Sequence, residues 1–336
     1  MEDRSLSMEY AMVLGAVLLL SVDALLIQLV SDLDDWTVVF WRYAFMGVSI
    51  FAYYFVQEQS EMWAKFYRIG LGGLLAGSVM AGAGICFTLA ILNTHTANVF
   101  LIAATTSLWA SVFSYFVFSE LVPVRTLIAV VVAFTAVGIV VGIELSADLD
   151  SAWFGNVMAI VSSILTALYL VIVRGMNAGL KASEKIDFTP ALILASAIEV
   201  VVSAAAGASP NSVSDMDLLY LVLQGVVVLS IGLALLTLAT KRISAPEVSL
   251  FMLIDSVLEP VWVYLAGFDD PPYYTIYCGI VVVVVLAANS ILALYEETST
   301  KEPPKALGDE REGDVWRDVG EREEGEVTSL LVSKRE

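Results

Sequence analysis

Five ionisable side chains stand inside otherwise apolar runs of this chain: Asp23, Arg42, Glu199, Asp255 and Glu259. At the centre of a membrane helix each costs about 2.5–3.5 kcal/mol, so such groups normally face a partner or a wet cavity. Glu199 and Asp255 fall nearest the middle of their runs, Asp23 slightly past it, and Arg42 and Glu259 nearer one end. Four acids against one base favour protons, cations, amines or zwitterions over phosphorylated anions, which usually need several lysines or arginines. A purely structural role stays open beside this one. Arg42 could pair with Asp23 or Glu259 and staple helices together, and Glu199 or Asp255 could do the same.

Spacing adds residues to this set. Asp255, Glu259 and Trp262 follow an i, i+4, i+7 stripe and share a helix face, and Asn98, Thr105 and Trp109 do so by the same rule. The two tryptophans could stack on a planar or cationic solute, or pack as ordinary interface aromatics. Pro260 lacks a backbone donor, which predicts a helix break freeing carbonyls near Ser256 and Asp255. One histidine, His95, and two cysteines, Cys86 and Cys278, each within an apolar run, provide no metal-ligand spacing. We expect no metal, no cofactor and no enzyme: GxGD and HExxH motifs and an intramembrane serine–histidine pair are absent from the sequence. His95 reads as a solvated rim residue.

The elements that must hold these groups follow from composition. Of 336 residues, 58% are hydrophobic and 16% charged, against roughly 25% charged in ordinary soluble domains. Mean hydropathy is +0.81. That excludes a soluble enzyme and a basic nucleic-acid binder, and makes the lipid bilayer the chief partner. Ten apolar runs are each long enough to cross about 30 Å of hydrocarbon: 10–31, 36–57, 69–92, 96–118, 126–143, 153–173, 188–206, 216–239, 244–267 and 273–294. The expected fold is an all-α polytopic membrane protein. The acidic start, MEDRSLSMEY, predicts that the first run is retained rather than cleaved as a signal peptide.

Lysine and arginine set orientation. Arg4, Lys65, Arg68, Arg125, Arg174, Lys181, Lys185, Lys241 and Arg242 fall before the first run or in every second loop. The alternate loops hold Asp32, Asp34, Asp35, Glu144, Asp148, Asp150, Asp215, Asp217, Asp269 and Asp270. Both termini are therefore expected in the cytosol. In run three, Gly73 and Gly77 make a small-xxx-small pair, read as intramolecular packing, with dimerisation the less favoured alternative.

A repeat is visible. FTLAILNTHTANV, Phe87 to Val99, and LTLATKRISAPEV, Leu236 to Val248, align with one gap, so Thr88-Leu89-Ala90 meets Thr237-Leu238-Ala239. The copies lie five runs apart, an odd number that turns one half over relative to the other. Inverted repeats are a signature of secondary transporters.

These residues, with FWR at Phe40 to Arg42, THTANVFLIAATTSLW at Thr94 to Trp109, SELVP at Ser119 to Pro123 and SAPEVSLFMLIDSVLEPVWVYL at Ser244 to Leu265, resemble the drug/metabolite transporter superfamily, EamA type. The resemblance covers residues 10 to 295. It implies ten transmembrane helices as two inverted five-helix repeats, 10–143 and 153–295, joined by an extracytosolic linker at 144–152. It also implies that spans four and nine line the centre as symmetry mates. Ser107 stands where a kinking proline is common, and FDDPP at Phe268 to Pro272 replaces a glycine–glutamate turn.

Residues 1–9 read as a cytosolic N-terminus. Residues 296–336 hold 7 of the 17 basic and 13 of the 36 acidic residues and read as a disordered acidic cytosolic tail. Glu326 with Leu330 and Leu331 resembles an acidic dileucine sorting signal. If read by a receptor it would direct the chain to an endosomal or vacuolar membrane; otherwise the plasma membrane is favoured. The functional expectation is a secondary active transporter of a small polar metabolite by alternating access. An amino acid, an amine, or a related zwitterion or cation is favoured, with protons as a candidate coupling ion. The alternative is a non-transporting scaffold or receptor.

Overall fold

The computed structural model describes residues 2–30, 33–58, 61–119, 124–146, 152–178, 180, 186–233, 235 and 245–301, and among these every extended element is helical. Two units are present, Met1–Ile291 and Leu292–Glu336, and the packing below belongs to the first. Helices α1 (Glu2–Leu20) and α2 (Asp23–Leu29) share the first apolar run. Next come α3 (Asp35–Glu58) and α4 (Met62–Asn93). The fourth run is again two helices, α5 (Thr96–Ala103) and α6 (Thr106–Phe118), followed by α7 (Val124–Ser146). The second half contributes α8 (Ala152–Asn177), α9 (Thr189–Ala205) and α10 (Asp215–Val222), the last continued as a π-helix over Leu223–Ile231. Finally come α11 (Ala245–Leu265) and α12 (Tyr273–Lys301).

Seven described stretches are long and apolar enough to cross a membrane: Tyr10–Leu29, Asp35–Gln57, Trp63–Asn93, Thr96–Phe118, Val124–Ile143, Trp153–Asn177 and Tyr273–Leu292. Thr189–Ala205 is a shorter apolar helix. The two other expected runs correspond to α10 with its π continuation and to α11, which flank residues 236–244, outside the described set. Also outside it lie Asp32, residues 120–123, Asp148, Asp150, Lys181, Lys185, Lys241, Arg242 and residues 302–336 with Glu326, Leu330 and Leu331.

Two helix interruptions share a local contact. Ser21 Oγ donates to the Leu18 carbonyl at 2.9 Å, and Thr105 Oγ1 donates to the Ile102 carbonyl at 2.6 Å. Each hydroxyl takes a carbonyl three residues back, competing with the helical ladder. The Ile102 carbonyl also accepts from Thr105 N at 2.9 Å and from Ser163 Oγ of α8 at 3.2 Å. Thus the fourth run breaks at Ala104–Thr105 with a serine, Ser107, where a kinking proline is common. Pro260 behaves otherwise than expected. α11 stays helical through it, because the missing N–H removes one rung while the flanking rungs hold.

Helix packing follows a paired pattern. α3 meets α9, and α5 meets α11. α4 meets α8, while α10 with its π run meets α1 and α2; α4 also meets α9, while α10 and the π run meet α3. Likewise α5 and α6 lie on α8, while α11 lies on α1 and α2. Gly77 faces α9 so closely that a Cβ there would stand 2.8 Å from the Ala191 carbonyl oxygen, whereas a Cβ at Gly73 would meet Ile69 of its own helix. A buried apolar cluster including Ile27, Val38, Ile91, Phe100, Leu108 and Ala133 ties α2 to α7 together.

One end of the bundle is laced by polar groups. Asn93 donates to Asp35 at 2.7 Å, and Ser209 N donates to Thr37 Oγ1 at 2.6 Å. Asp269, in the loop before α12, accepts from Thr96 N at 2.7 Å, and its other oxygen meets His95 Nδ1 at 2.6 Å. His95 is therefore engaged with a carboxylate rather than only solvated.

Candidate functional site

The break between α1 and α2 sets Asp23 at the first position of α2, where it is buried. Arg42 on α3 donates from Nη2 to Asp23 Oδ2 at 2.7 Å, and both side chains are almost fully enclosed. The other Asp23 oxygen accepts from Gln224 Nε2 at 3.0 Å, and the same amide reaches the Asp23 carbonyl at 3.3 Å. Gln224 gets there because Gly225 beside it lets the π run touch α3. A Cβ on Gly225 would stand 2.8 Å from the Arg42 carbonyl oxygen. A π-helical stretch of this kind often marks a functional position.

From the other side, α11 lays its acidic stripe on the same break. Glu259 Oε2 accepts from Ala24 N at 3.1 Å, satisfying a donor of the first turn of α2. Trp262 Nε1 donates to Ser21 Oγ at 3.2 Å. Asp255, one turn earlier, is buried within the field of Asp23, and Glu259 feels both Asp255 and Asp23. Asp255, Glu259 and Trp262 therefore share one face, directed at the α1–α2 break.

Glu199 approaches from α9. Its Oε1 lies against Gly84 of α4 and the field of Arg42 reaches it. Tyr43, next to Arg42, brings its hydroxyl to 3.3 Å from Thr88 Oγ1, and the Arg42 guanidinium carbon sits 5.3 Å from the Tyr43 ring centre and 5.9 Å from that of Phe87. The result is a buried cluster in which Asp23, Glu199 and Glu259 lie in the field of the Arg42 guanidinium and Asp255 joins through Asp23 and Glu259. Several polar atoms in it have no hydrogen-bond partner among the described residues: Arg42 Nε and Nη1, Glu199 Oε2, Gln224 Oε1 and Asp255 Oδ1. Buried unmade hydrogen bonds cost about 1–3 kcal/mol each, so such a concentration makes this cluster the candidate site.

The remaining candidates lie elsewhere. Asn98 belongs to the laced end: its Oδ1 accepts from Thr275 Oγ1 at 2.9 Å and its amide meets Asn156 at 3.4 Å. Thr105 holds the α5–α6 break. Trp109 packs edge-on against Phe134 of α7 at 4.7 Å. Gln224, Tyr43 and Gly84 complete the cluster without having been singled out as candidate site residues. Gln224 alone carried a signal, being a lone amide inside the apolar run 216–239. Among the described residues, no group of three or more His, Cys, Asp or Glu could hold a metal ion.

Comparison with known proteins bears on both fold and family. Residues 7–142 match the model of the EamA-like transporter family. One solved structure, described only as the crystal structure of a protein, superposes with a TM-score of 0.58 at 18% identity, covering 85% of this chain and 98% of that one. At that identity the likeness is one of fold alone. No curated protein matches this chain in sequence.

Proposed function

We propose that this chain, whose residues 7–142 match the model of the EamA-like transporter family, is a member of the drug/metabolite transporter superfamily and a secondary transporter working by alternating access. Its apolar helices make it an integral, multi-pass membrane protein. On our reading, ten spans form two inverted five-helix repeats, 10–143 and 153–295, linked by 144–152 outside the cytosol. Both termini face the cytosol, and the plasma membrane is the favoured location. The paired packing supports this arrangement: exchanging each of the first five runs with its partner five runs later maps the α4–α8 contact onto α10–α1/α2, and the α5/α6–α8 contact onto α11–α1/α2.

The observation that carries the transport reading is the sealed cluster of Asp23, Arg42, Glu199, Asp255 and Glu259 with its unpartnered donors and acceptors. An acid-rich site with one guanidinium suits a small polar solute carrying positive charge: an amine, an amino acid, or a related zwitterion or cation. The carboxyls also make protons the natural coupling ion, in keeping with the cost of keeping unpaired charge in the membrane.

The test is flux of a mixed amino-acid and amine panel into proteoliposomes under an imposed pH gradient, with empty vesicles as control. Saturable flux in the wild type, abolished in a folded Asp255→Asn variant, is the expected result. No flux above empty vesicles from a well-folded preparation would discard this solute class. If cysteines placed at Asp255 and Thr105 also resisted aqueous thiol reagents from both sides, transport itself would give way to a scaffold role.

A further inference from the structure

α4 is longer than a bilayer requires. Its 32 residues span about 48 Å at 1.5 Å per residue, against about 30 Å of hydrocarbon. The part from Gly70 onward supplies about 36 Å by the same rise, enough to cross alone. The segment Met62–Ile69 is therefore surplus, and it is set apart by a kink at Gly70, whose backbone is non-helical at φ 53° and ψ −151°.

This short leg is amphipathic in a specific way. Trp63 and Tyr67 follow i, i+4 and are 69% and 89% exposed; Arg68 is exposed beside them. The opposite side faces protein: Ile69 packs with Ala76, Phe188 and Ala191, and Lys65 Nζ lies 3.9 Å from Asp187 and 5.6 Å from the Tyr54 ring centre. In water, two large aromatics aligned on one face would be an unfavourable patch. Tryptophan and tyrosine, however, concentrate at the level of lipid headgroups, where an indole or phenol has both an apolar body and a wet tip. Past the kink, Leu71, Leu74 and Leu75 are exposed as well, an apolar surface suited to acyl chains where α4 crosses.

We infer that Met62–Ile69 is an interfacial leg, lying in the plane of the phospholipid headgroup layer, with Trp63 and Tyr67 as its anchors, Arg68 at phosphate level and Gly70 as the bend into the crossing helix. The occupant of the exposed face is lipid. A leg of this kind fixes the depth of α4, the helix that supplies Gly84 and Thr88 to the buried cluster. The inference depends on α4 crossing a membrane and not on which solute the protein carries.

Nitroxide labels provide the test. Single cysteines at Ala64, Tyr67, Leu71 and Leu75, in the full chain with Cys86 and Cys278 replaced by alanine, would be labelled and reconstituted in liposomes of phosphatidylcholine and phosphatidylglycerol. Collisions with oxygen and with a water-soluble nickel complex then give label depth. An in-plane leg places positions 64 and 67 at the same headgroup depth, whereas a straight helix separates them by about 4.5 Å. Positions 71 and 75 should step inward by about 6 Å on either geometry, which checks the ruler. Replacing Trp63 and Tyr67 together by serine should raise nickel access at position 64 several-fold. Free nickel access at 64 and 67 in the otherwise unsubstituted leg would overturn the inference, since the leg would then stand in water. Shielding of both positions from oxygen and nickel alike would overturn it too, since the face would then be covered by protein.

Discussion

Gly84 is where the packing of the cluster can be tested with one methyl group. A Cβ at this position would run into Glu199 Oε1, lie 2.6 Å from the Tyr43 hydroxyl and lie 3.0 Å from Tyr43 Cζ. Neither neighbour is free to yield: Glu199 is 2% and Tyr43 5% exposed, and the Tyr43 hydroxyl is held at 3.3 Å from Thr88. Gly84→Ala therefore overpacks a closed site, at about 1–3 kcal/mol. Losing the Tyr43–Thr88 contact adds about 1 kcal/mol, and the better helix propensity of alanine returns about 1 kcal/mol. The net loss is about 1–3 kcal/mol, or roughly 2–6 °C at about 2 °C per kcal/mol for a chain of this size. Gly138 on α7 is the control. Nothing lies within 4 Å of its Cβ position, so Gly138→Ala should be neutral or stabilising by up to about 1 kcal/mol. Thermal unfolding in nanodiscs, read by tryptophan fluorescence, compares the two. In a double-mutant cycle, Glu199→Ala should recover part of the Gly84→Ala loss, because it removes the colliding oxygen. Equal effects at Gly84 and Gly138, or strict additivity of Gly84→Ala with Glu199→Ala, would refute the assignment of Glu199 to this contact.

Two further outcomes follow from the same geometry. Gln224→Leu removes both bonds to Asp23 and strands Asp23 Oδ1, so stability against unfolding in detergent should fall by about 1–3 kcal/mol; flux should fall with it, and a variant of unchanged stability would show that the amide does not hold Asp23. At the laced end, Asp269→Ala removes the contacts to both Thr96 N and His95, while His95→Ala leaves the Thr96 N bond to Asp269 in place. The aspartate variant should be the less stable of the two by about 1 kcal/mol in chemical denaturation, and the reverse order would mean that capping Thr96 N contributes nothing.

Much of this was legible in residue order. The apolar runs lead to the helices because backbone groups in lipid can be satisfied only within the segment itself. The acidic stripe of α11 was legible for a similar reason: within an unbroken helix, side-chain direction is a local property with a 3.6-residue period. Asp255, Glu259 and Trp262 accordingly do share a face. Asn98 and Trp109 fall on separate helices, α5 and α6, and the Ile102 carbonyl between them accepts from the Thr105 hydroxyl and from Ser163, 61 residues further along the chain.

What the sequence determined by itself was the solvent of this protein, the places where its helices run, and the five charges that membrane burial makes expensive enough to require partners. Which partners they take was decided only by tertiary structure. Gln224 reaches Asp23 across 201 residues and Glu259 reaches the backbone of Ala24 across 235, through a break and a π-helical stretch whose composition looks like any other apolar run. Pro260, the most obvious breaker, is absorbed within a helix, while Ser21 and Thr105, two ordinary hydroxyls, interrupt theirs. Local propensity ranks the residues that could break a helix. Where it breaks depends on which neighbours are present to satisfy the backbone groups that a break sets free.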